Sequence, residues 1–366
     1  MGVADSYTQG RRFVAERPGV AIAVAVGVVL LVDLVRRLST GALTAETLVV
    51  FVWRGVVNGL VVGLAGIGLS MTYSILNFAN FAHGDYISSG AFAGWATTWV
   101  VAGFGRVDVG TLLLVGAGGT VFSSDLGTSV TNTPAAVVVG MLLAGAFTAV
   151  LALVVDRLVY RPMRGEEGIS LLIASIGVAF VLRYGLVFVF GAAPRSVAEN
   201  PGKVTLGGTQ LWFNWHEFTL VAAAVALMLG VHLLLQRTKL GKAMRAMADN
   251  EDLARITGIP TERVVTWTWL LGAGLAGVAG YLLILEAGTI AFNRGWILLL
   301  LIFAAVILGG IGSVYGAIAG GLVIGLADTV SQVWIPSDVT RAAAFLLMIL
   351  ILLFRPEGLF AGRSTA

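Results

Sequence analysis

Long apolar runs separated by short polar segments extend along almost the whole chain. A helix that crosses the hydrocarbon core of a bilayer needs about 20 predominantly apolar residues. The runs lack the alternation of apolar and polar positions that the wall of a β-barrel requires. The pattern predicts an all-α polytopic membrane protein with about ten transmembrane helices, a core of eight or nine plus an extra N-terminal helix. The runs are Val20–Val35, Val56–Leu76, Tyr86–Ala102, Ala135–Val155, Ile169–Phe190, Leu220–Leu235, Val264–Leu285, Trp296–Leu308, Val314–Ile335 and Ala342–Phe354.

Lys and Arg are concentrated in two loops, Arg157–Gly168 and Gln236–Arg263. Cytoplasmic loops carry an excess of these residues, so we predict that both loops lie inside. Counting runs from these loops places both chain ends and Asn77–Asp85 inside. The same count places Phe104–Pro134 and Ala287–Gly295 outside.

The first run is apolar and close to the N-terminus, as a signal peptide would be. However, it begins only at Val20, carries Asp33 and ends in Arg36-Arg37 instead of a small-residue cleavage site, which favours a retained helix. We therefore predict an N-terminal extension with an extra apolar helix over residues 1–50, followed by one membrane domain over residues 51–366.

Composition narrows the classes of function. Of 366 residues, 58% are hydrophobic and 12% are charged, half the charged share of about 25% in a soluble domain. A net charge of +3 is too small to indicate nucleic acid binding. The three histidines do not pair at metal-ligand spacing, and no catalytic set is evident, so we predict no enzyme, metal site or cofactor. The 48 glycines are explained by close helix packing in lipid.

The first functional candidate is Asn77–Asp85, a polar interruption between two apolar runs. Polar side chains are costly in lipid and normally face a bundle interior, a water-filled cavity or the interface. Two interpretations stay open: an ordinary cytoplasmic turn, or a broken helix whose polar groups line a route across the membrane. In the second interpretation, the substrate pathway includes Asn77, Asn80, His83, Gly84 and Asp85.

The second candidate is a short amphipathic helix within Lys239–Ile259, in the largest predicted cytoplasmic loop. Asp249 or Asn250 suits its N-cap, acidic side chains follow in its first turn, and Gly258 suits its C-terminus. Its polar face is mixed in sign, whereas helices that lie on lipid favour Lys and Arg. We therefore predict docking on a soluble partner. The residues assigned to this contact are Arg245, Asp249, Glu251, Asp252, Leu253, Ile256 and Gly258.

The third candidate is a Gly-rich break in a long apolar stretch, made by Gly309, Gly310, Gly312 and Ser313. Such breaks mark ligand sites in transporters, and a tight turn between two short helices explains the break equally well. Arg183 and Glu286 are ionisable groups within or beside apolar runs. We interpret Arg183 as reaching the membrane interface with its long side chain.

A faint internal repeat relates two parts of the chain. A shift of 211 residues aligns Gly63–Gly66 with Gly274–Gly277, Phe81 with Phe292 and Gly84 with Gly295. The predicted topology runs the first copy inward and the second outward, as an inverted repeat requires.

Several of these segments together resemble a known family. Asn77–Asp85 is similar to the asparagine-phenylalanine-alanine-histidine-glycine-acid signature of branched-chain amino acid ABC-transporter permeases, most closely the LivH-type subunit. The resemblance covers about Val56–Phe360, and residues 1–50 and the long polar loop Phe104–Pro134 depart from the family pattern. The other landmarks are Tyr160–Arg164, Gly241–Arg263, Gly309–Ser313 and Phe354–Phe360.

The resemblance implies a permease subunit of an ATP-driven importer for branched-chain or similar hydrophobic amino acids, in the plasma membrane of a prokaryote. It also implies a second, LivM-like permease subunit, two cytoplasmic ATPase subunits seated on the loop containing Glu251–Gly258, and an extracellular substrate-binding protein. The chain has no Walker A motif, so ATP hydrolysis would belong to the partners. The alternatives are a related importer for urea or short amides, an ion-coupled secondary transporter, or an intramembrane enzyme.

Overall fold

The computed structural model describes residues 18–104, 128–197, 203–205 and 212–360. Two short antiparallel strand pairs join β1 (Arg195–Ser196) to β4 (Thr289–Ile290), and β2 (Lys203–Thr205) to β3 (Trp212–Asn214). All other regular elements in these segments are helical. The α-helices are α1 (Pro18–Ser39), α2 (Ala45–Leu76), α3 (His83–Ala102), α4 (Pro134–Val155), α5 (Gly168–Phe190), α6 (Trp215–Arg237), α7 (Lys239–Asp249), α8 (Glu251–Ile256), α9 (Thr261–Ala287), α10 (Arg294–Gly309), α11 (Val314–Val330) and α12 (Thr340–Phe354).

Seven helical segments in the described part of the chain are long and apolar enough to cross a membrane. They lie at α2, α4, α5, α6, α9, α11 and α12, of which α4, α11 and α12 are extended by adjoining turns. Every predicted apolar run lies on a helix, which confirms an all-α polytopic membrane protein. However, α1 and α3 are not among the seven, and α10 is apolar but has only 16 residues.

The lipid-facing surface and the interior can be told apart by exposure. Large apolar side chains such as Val181 and Phe188 on α5 and Leu353 on α12 are exposed, as expected for helices whose outer faces contact acyl chains. In contrast, α9 is largely enclosed by α2, α3 and α4, and its Trp269 and Tyr281 are buried. The bundle therefore has α9 near its centre.

The helix contacts fall into two similar sets. The main partner of α2 is α11, and the main partner of α9 is α4; likewise α3 packs on α4 as α10 packs on α11. A Cβ added to Gly140 would lie 2.7 Å from the carbonyl oxygen of Gly94, and a Cβ added to Gly320 would lie 2.0 Å from that of Ala305. Positions 94 and 305 are equated by the shift of 211 residues. Glycine therefore allows close packing in both the α3–α4 pair and the α10–α11 pair.

The repeat-related residues Gly84 and Gly295 touch each other. A Cβ on Gly295 would lie 2.0 Å from the carbonyl oxygen of Gly84, and a Cβ on Gly84 would lie 2.9 Å from the carbonyl oxygen of Gly295. The first turns of α3 and α10 are therefore in direct contact.

Candidate functional site

The polar break begins where α2 ends. Asn77 caps this helix in the left-handed conformation, with φ 53°, which asparagine tolerates better than most residues. The chain then turns through Phe78, which is buried, and the N–H of Phe81 donates to Ser175 Oγ at 3.0 Å. This bond ties the break to α5.

Three of the five predicted pathway residues place polar side chains in the bundle interior. Asn80 is fully buried, and its Oδ1 accepts from the N–H of Ala82 at 3.0 Å and from the Tyr160 hydroxyl at 3.3 Å. His83 is buried, and its Nε2 donates to the carbonyl oxygen of Ala65 at 2.9 Å. Asp85, considered below, is the third.

The other two predicted pathway residues, Asn77 and Gly84, do not place polar side chains in the bundle interior. Asn77 is exposed, and Gly84 is enclosed by its contact with Gly295. The structure thus brings Asn80, His83 and Asp85 into the interior but leaves Asn77 at the edge.

Asp85 is held by a buried arginine from another helix. Arg183 on α5 donates from Nε and Nη2 to the two carboxylate oxygens of Asp85, at 3.1 and 2.9 Å. The Asp85 side chain is fully buried, and that of Arg183 is 10% exposed. The guanidinium carbon also lies 4.4 Å from the ring centroid of Trp296.

The interpretation of Arg183 as an interface-seeking side chain is therefore wrong. It points into the bundle because a carboxylate at matching depth pairs with it bidentately, which is the favoured geometry for arginine. The sequence signal for this pair was an acid in the polar break and a base inside an apolar run.

An aromatic cluster lies beside the break. Tyr160 stacks on Trp269 with ring centroids 5.3 Å apart, and Tyr86 meets Trp269 edge-on at 6.3 Å. Four buried polar atoms near these rings and along α2 have no hydrogen-bond partner among the described residues, which is uncommon in folded proteins. They are Ser70 Oγ, Asn80 Nδ2, Tyr86 Oη and Trp269 Nε1.

A separate cavity of about 510 Å³ lies among α2, α9, α10, α11 and α12. Its lining includes four charged side chains, Glu286, Arg294, Asp328 and Arg341, and it is called the charged cavity below. In the sequence, Glu286 and Asp328 are recognisable as acids within or beside apolar runs. Their meeting with Arg294 and Arg341 could not be predicted, because the four residues come from four different helices.

The charged residues of this cavity do not pair with one another. In the described segments, none of the four forms a salt bridge. Arg294 Nη1 donates to the carbonyl oxygen of Thr289 at 3.3 Å, and Asp328 Oδ1 accepts from the Thr340 hydroxyl at 2.8 Å. Charge of both signs is therefore available to a ligand.

The loop predicted to be cytoplasmic, called the inner-face loop below, contains α7 and α8. Asn250, not Asp249, provides the N-cap of α8, with its Oδ1 accepting from the N–H of Leu253 at 2.8 Å. Gly258 has φ 87°, a conformation that ends the helix and favours glycine. Arg245 Nη1 donates to the carbonyl oxygen of Leu235 at 2.8 Å, which ties α7 to the end of α6.

The outer face of α8 is apolar and unpacked. Leu253 is 55% exposed and Ile256 is 81% exposed, whereas Ala254 faces the protein and is buried. The acidic residues of the loop are exposed too: Asp252 is almost fully so, and Glu251 accepts from Arg255 at 2.7 Å. Most of the predicted contact residues are therefore exposed, whereas Arg245 is half-buried and bonded to Leu235.

The Gly-rich break is a tight turn between α10 and α11. Gly310 and Gly312 have φ 101° and 88°, and Ser313 caps α11 by accepting from the N–H of Gly316 at 2.9 Å. A Cβ on Gly309 would collide with the Gly316 carbonyl group. In the described part of the chain, this turn does not line the charged cavity.

The C-terminal segment closes this turn. The N–H groups of Leu359 and Phe360 donate to the carbonyl oxygens of Leu308 and Gly309, at 2.9 and 3.0 Å. Two landmarks that are about 50 residues apart in the sequence therefore meet in the structure. Their contact satisfies two carbonyl groups at the end of α10, which lack partners in the helix itself.

Arg164 joins the end of α4 to the start of α9. It donates to both carboxylate oxygens of Asp156, at 2.7 and 2.9 Å, and to Glu262 at 2.6 Å. Partial burial works to lower the pKa of Arg164, but the hydrogen bonds to Glu262 and Asp156 outweigh it, and the pKa is raised. Arg164 therefore stays charged between the two carboxylates.

The described segments contain no group of three or more His, Cys, Asp or Glu residues placed to hold a metal ion. The same segments contain a buried polar break, a charged cavity and the exposed helix α8.

Comparison with known proteins agrees with this arrangement. BraD, a high-affinity branched-chain amino acid transport system permease protein of Pseudomonas aeruginosa, is 29% identical over 311 residues, covering 83% of this chain and 94% of BraD. LivH of Escherichia coli K12 is 29% identical over 317 residues, covering 84% and 93%. A probable LivH of Methanocaldococcus jannaschii is 26% identical over 312 residues, covering 81% and 87%.

No solved structure matches the chain. A sequence model of the family described as branched-chain amino acid transport system, permease component, matches residues 51–353. Since this match takes in most of the chain, the protein is a multi-pass cell-membrane protein that belongs to the family of permease components of branched-chain amino acid transport systems.

Proposed function

We propose that this chain is the transmembrane permease subunit of an ATP-driven importer for branched-chain or similar hydrophobic amino acids. The observation that carries the proposal is the family match over residues 51–353. BraD and LivH, which are named for high-affinity branched-chain amino acid transport, align over more than nine-tenths of their own lengths. These names favour an amino acid over urea or short amides as the substrate.

The chain works with partners in this proposal. Two cytoplasmic ATPase subunits supply the force, a second, LivM-like permease completes the membrane passage, and an extracellular binding protein delivers the amino acid. The support for this division of labour is that the chain has no Walker A motif and that its relatives are named as permease proteins of transport systems.

We also propose that about ten helices insert in the membrane, with residues 1–50 as an extension and 51–366 as the permease domain. The extra helix α1 is attached to the rest, because Trp334 Nε1 donates to Asp33 Oδ2 at 3.1 Å and Arg37 Nη1 donates to the Val333 carbonyl oxygen at 3.2 Å. Such contacts support a retained helix.

The polar break is a broken helix in this proposal. In the predicted topology, α3 begins on the inner side and α10 begins on the outer side. Their first turns nevertheless touch at Gly84 and Gly295, so the contact lies between the two membrane surfaces. This supports α3 and α10 as short helices that start within the membrane, as in transporters with inverted repeats, and it supports Asn80, His83 and Asp85 as interior groups beside the pathway.

The inner-face loop transmits the force. The exposed pair Leu253 and Ile256 on α8 offers an apolar anchor for an ATPase subunit, framed by exposed charges. The bond from Arg245 to the end of α6 and the contacts of α8 with α9 connect that anchor to the bundle. Movement of the ATPases would therefore reach the central helix α9.

The proposal is tested by purifying the complete complex into liposomes and measuring leucine uptake. Uptake is expected with ATP and the binding protein, and none is expected when this chain is present alone. Ile256→Asp is expected to lower uptake per ATP hydrolysed by about tenfold, because it removes an interface anchor, whereas Ile256→Leu is expected to retain uptake. Concentrative uptake by the chain alone would refute the proposal, and full coupling in Ile256→Asp would refute the role of α8.

A further inference from the structure

We propose that the charged cavity is a binding site for the amino acid itself, in which carboxylates hold the ammonium group and guanidinium groups hold the carboxylate. Glu286 and Asp328 are the carboxylates, and Arg294 and Arg341 provide the guanidinium groups. This inference rests on the proposed function and deepens it, because it assigns a substrate site to the permease in addition to the one on a binding protein.

The cavity is lined by charges of both signs. It contains two acids and two bases, and none of them is satisfied by a salt bridge in the described part of the chain. Glu286 and Arg294 are near enough to interact electrostatically without pairing. A ligand of one sign would meet repulsion from two of the four groups, whereas a zwitterion presents one charge to each kind. Guanidinium groups also bind carboxylates bidentately.

The lining of the cavity also includes apolar side chains. Val61, Val62, Leu298, Leu301 and Ile324 contribute apolar surface between the charged groups. A site with an apolar wall and a few placed polar groups is typical of small-ligand pockets, whose volumes are about 300–1,000 Å³. The volume of about 510 Å³ lies in that range. The combination suits an α-amino acid with an aliphatic side chain.

The cavity has no counterpart among the residues that the shift of 211 positions equates with its lining. The shift of 211 residues equates Asn58 and Ile297, which line the cavity, with Trp269 and Tyr86. Those two aromatic side chains are fully buried and pack against each other. The volume that is open in one half is therefore filled in the other. A volume that is open in one half and filled in the other is expected of a substrate site that opens to one side of the membrane.

The test uses the purified complex without the binding protein and measures equilibrium binding of radiolabelled L-leucine. Three unlabelled competitors separate the two charges: leucine, 4-methylpentanoate, which lacks the ammonium group, and isoamylamine, which lacks the carboxylate. Glu286→Gln and Arg294→Gln are each expected to weaken leucine binding by about tenfold or more. Glu286→Gln is not expected to weaken competition by 4-methylpentanoate, because it removes a charge that repels the carboxylate. For the same reason Arg294→Gln is not expected to weaken competition by isoamylamine. The matched control Asp338→Asn changes an exposed acid outside the cavity and is expected to bind leucine like the parent.

A second measurement does not depend on charge variants. The chain has no cysteine, so a single Ile297→Cys can be labelled by a membrane-impermeant maleimide added from outside. Leucine is expected to slow this labelling at least about fivefold, as a ligand that fills the site would. It is not expected to slow the labelling of Asp338→Cys.

The outcomes separate the two proposals. If the parent complex imports no leucine with ATP, the proposed function fails. If it imports leucine but the charge variants bind leucine like the parent, or leucine does not protect Ile297→Cys, the cavity is not the site and the proposed function stands. If a charge variant does not assemble, protection of Ile297→Cys decides the matter alone.

Discussion

The buried ion pair of Asp85 and Arg183 allows a quantitative test of how the bundle interior is held together. Replacing Arg183 by methionine leaves a fully buried carboxylate that has lost two hydrogen bonds of 3.1 and 2.9 Å. Breaking a buried pair from one side costs about 3–5 kcal/mol. The stacking of the guanidinium on Trp296 is lost as well, so we expect a decrease of about 4 kcal/mol or more in the free energy of unfolding.

The double variant Asp85→Leu/Arg183→Met is expected to recover most of this loss. Replacing both partners by apolar side chains of similar size removes the unpaired buried charge, and such replacements are often neutral or stabilising. The double variant is therefore expected to be more stable than Arg183→Met alone, although it contains one more substitution.

Unfolding can be followed by tryptophan fluorescence of the detergent-solubilised chain during titration with a denaturing detergent, since the chain has nine tryptophans. The control is Arg255→Met, which breaks the 2.7 Å pair with Glu251, where both side chains are more than 40% exposed. Exposed pairs contribute about 0–1 kcal/mol. The reasoning is refuted if Arg183→Met is as stable as the parent, or if the double variant is no more stable than Arg183→Met.

Three further outcomes are expected. Gly295→Ala would place a Cβ 2.0 Å from a carbonyl oxygen. It should greatly reduce the yield of folded protein in size-exclusion chromatography. Gly177→Ala should not reduce this yield, because there is open space around Gly177. Asn250→Ala should cost about 1 kcal/mol by removing a helix cap and should speed hydrogen exchange in α8, with Asn250→Ser close to the parent. Arg164→Gln should unlink α4 from Glu262 and lower thermal stability by about 1–3 kcal/mol, and Arg164→Lys should lose less.

Much of the fold could be predicted from local pattern. Each apolar run became a helix because lipid requires every backbone group to be satisfied within its own segment. The N-cap at Asn250 and the end of the helix at Gly258 could also be predicted, because both depend only on neighbouring residues. The number of crossings was harder, because α3 is interrupted by polar and small residues and α10 is short.

The interior chemistry could not be predicted in the same way. Asp85 and Arg183 are 98 positions apart, and their pairing depends on the relative depth of two helices. The charged cavity is assembled from helices as distant as α2 and α12. The six identities of the possible repeat gave no sign that Gly84 and Gly295 would touch.

The bonds from Leu359 and Phe360 to the end of α10 have a consequence for biosynthesis. These donors leave the ribosome about 50 residues after the carbonyl groups that they satisfy. The α10–α11 hairpin is therefore inserted before the C-terminal segment that bonds to it has been made. Until translation reaches residue 360, two main-chain oxygens at the hairpin must depend on water or on the insertion machinery. Completion of the tail is therefore the step that secures the end of α10, and a nascent chain that stalls before it would lack both bonds.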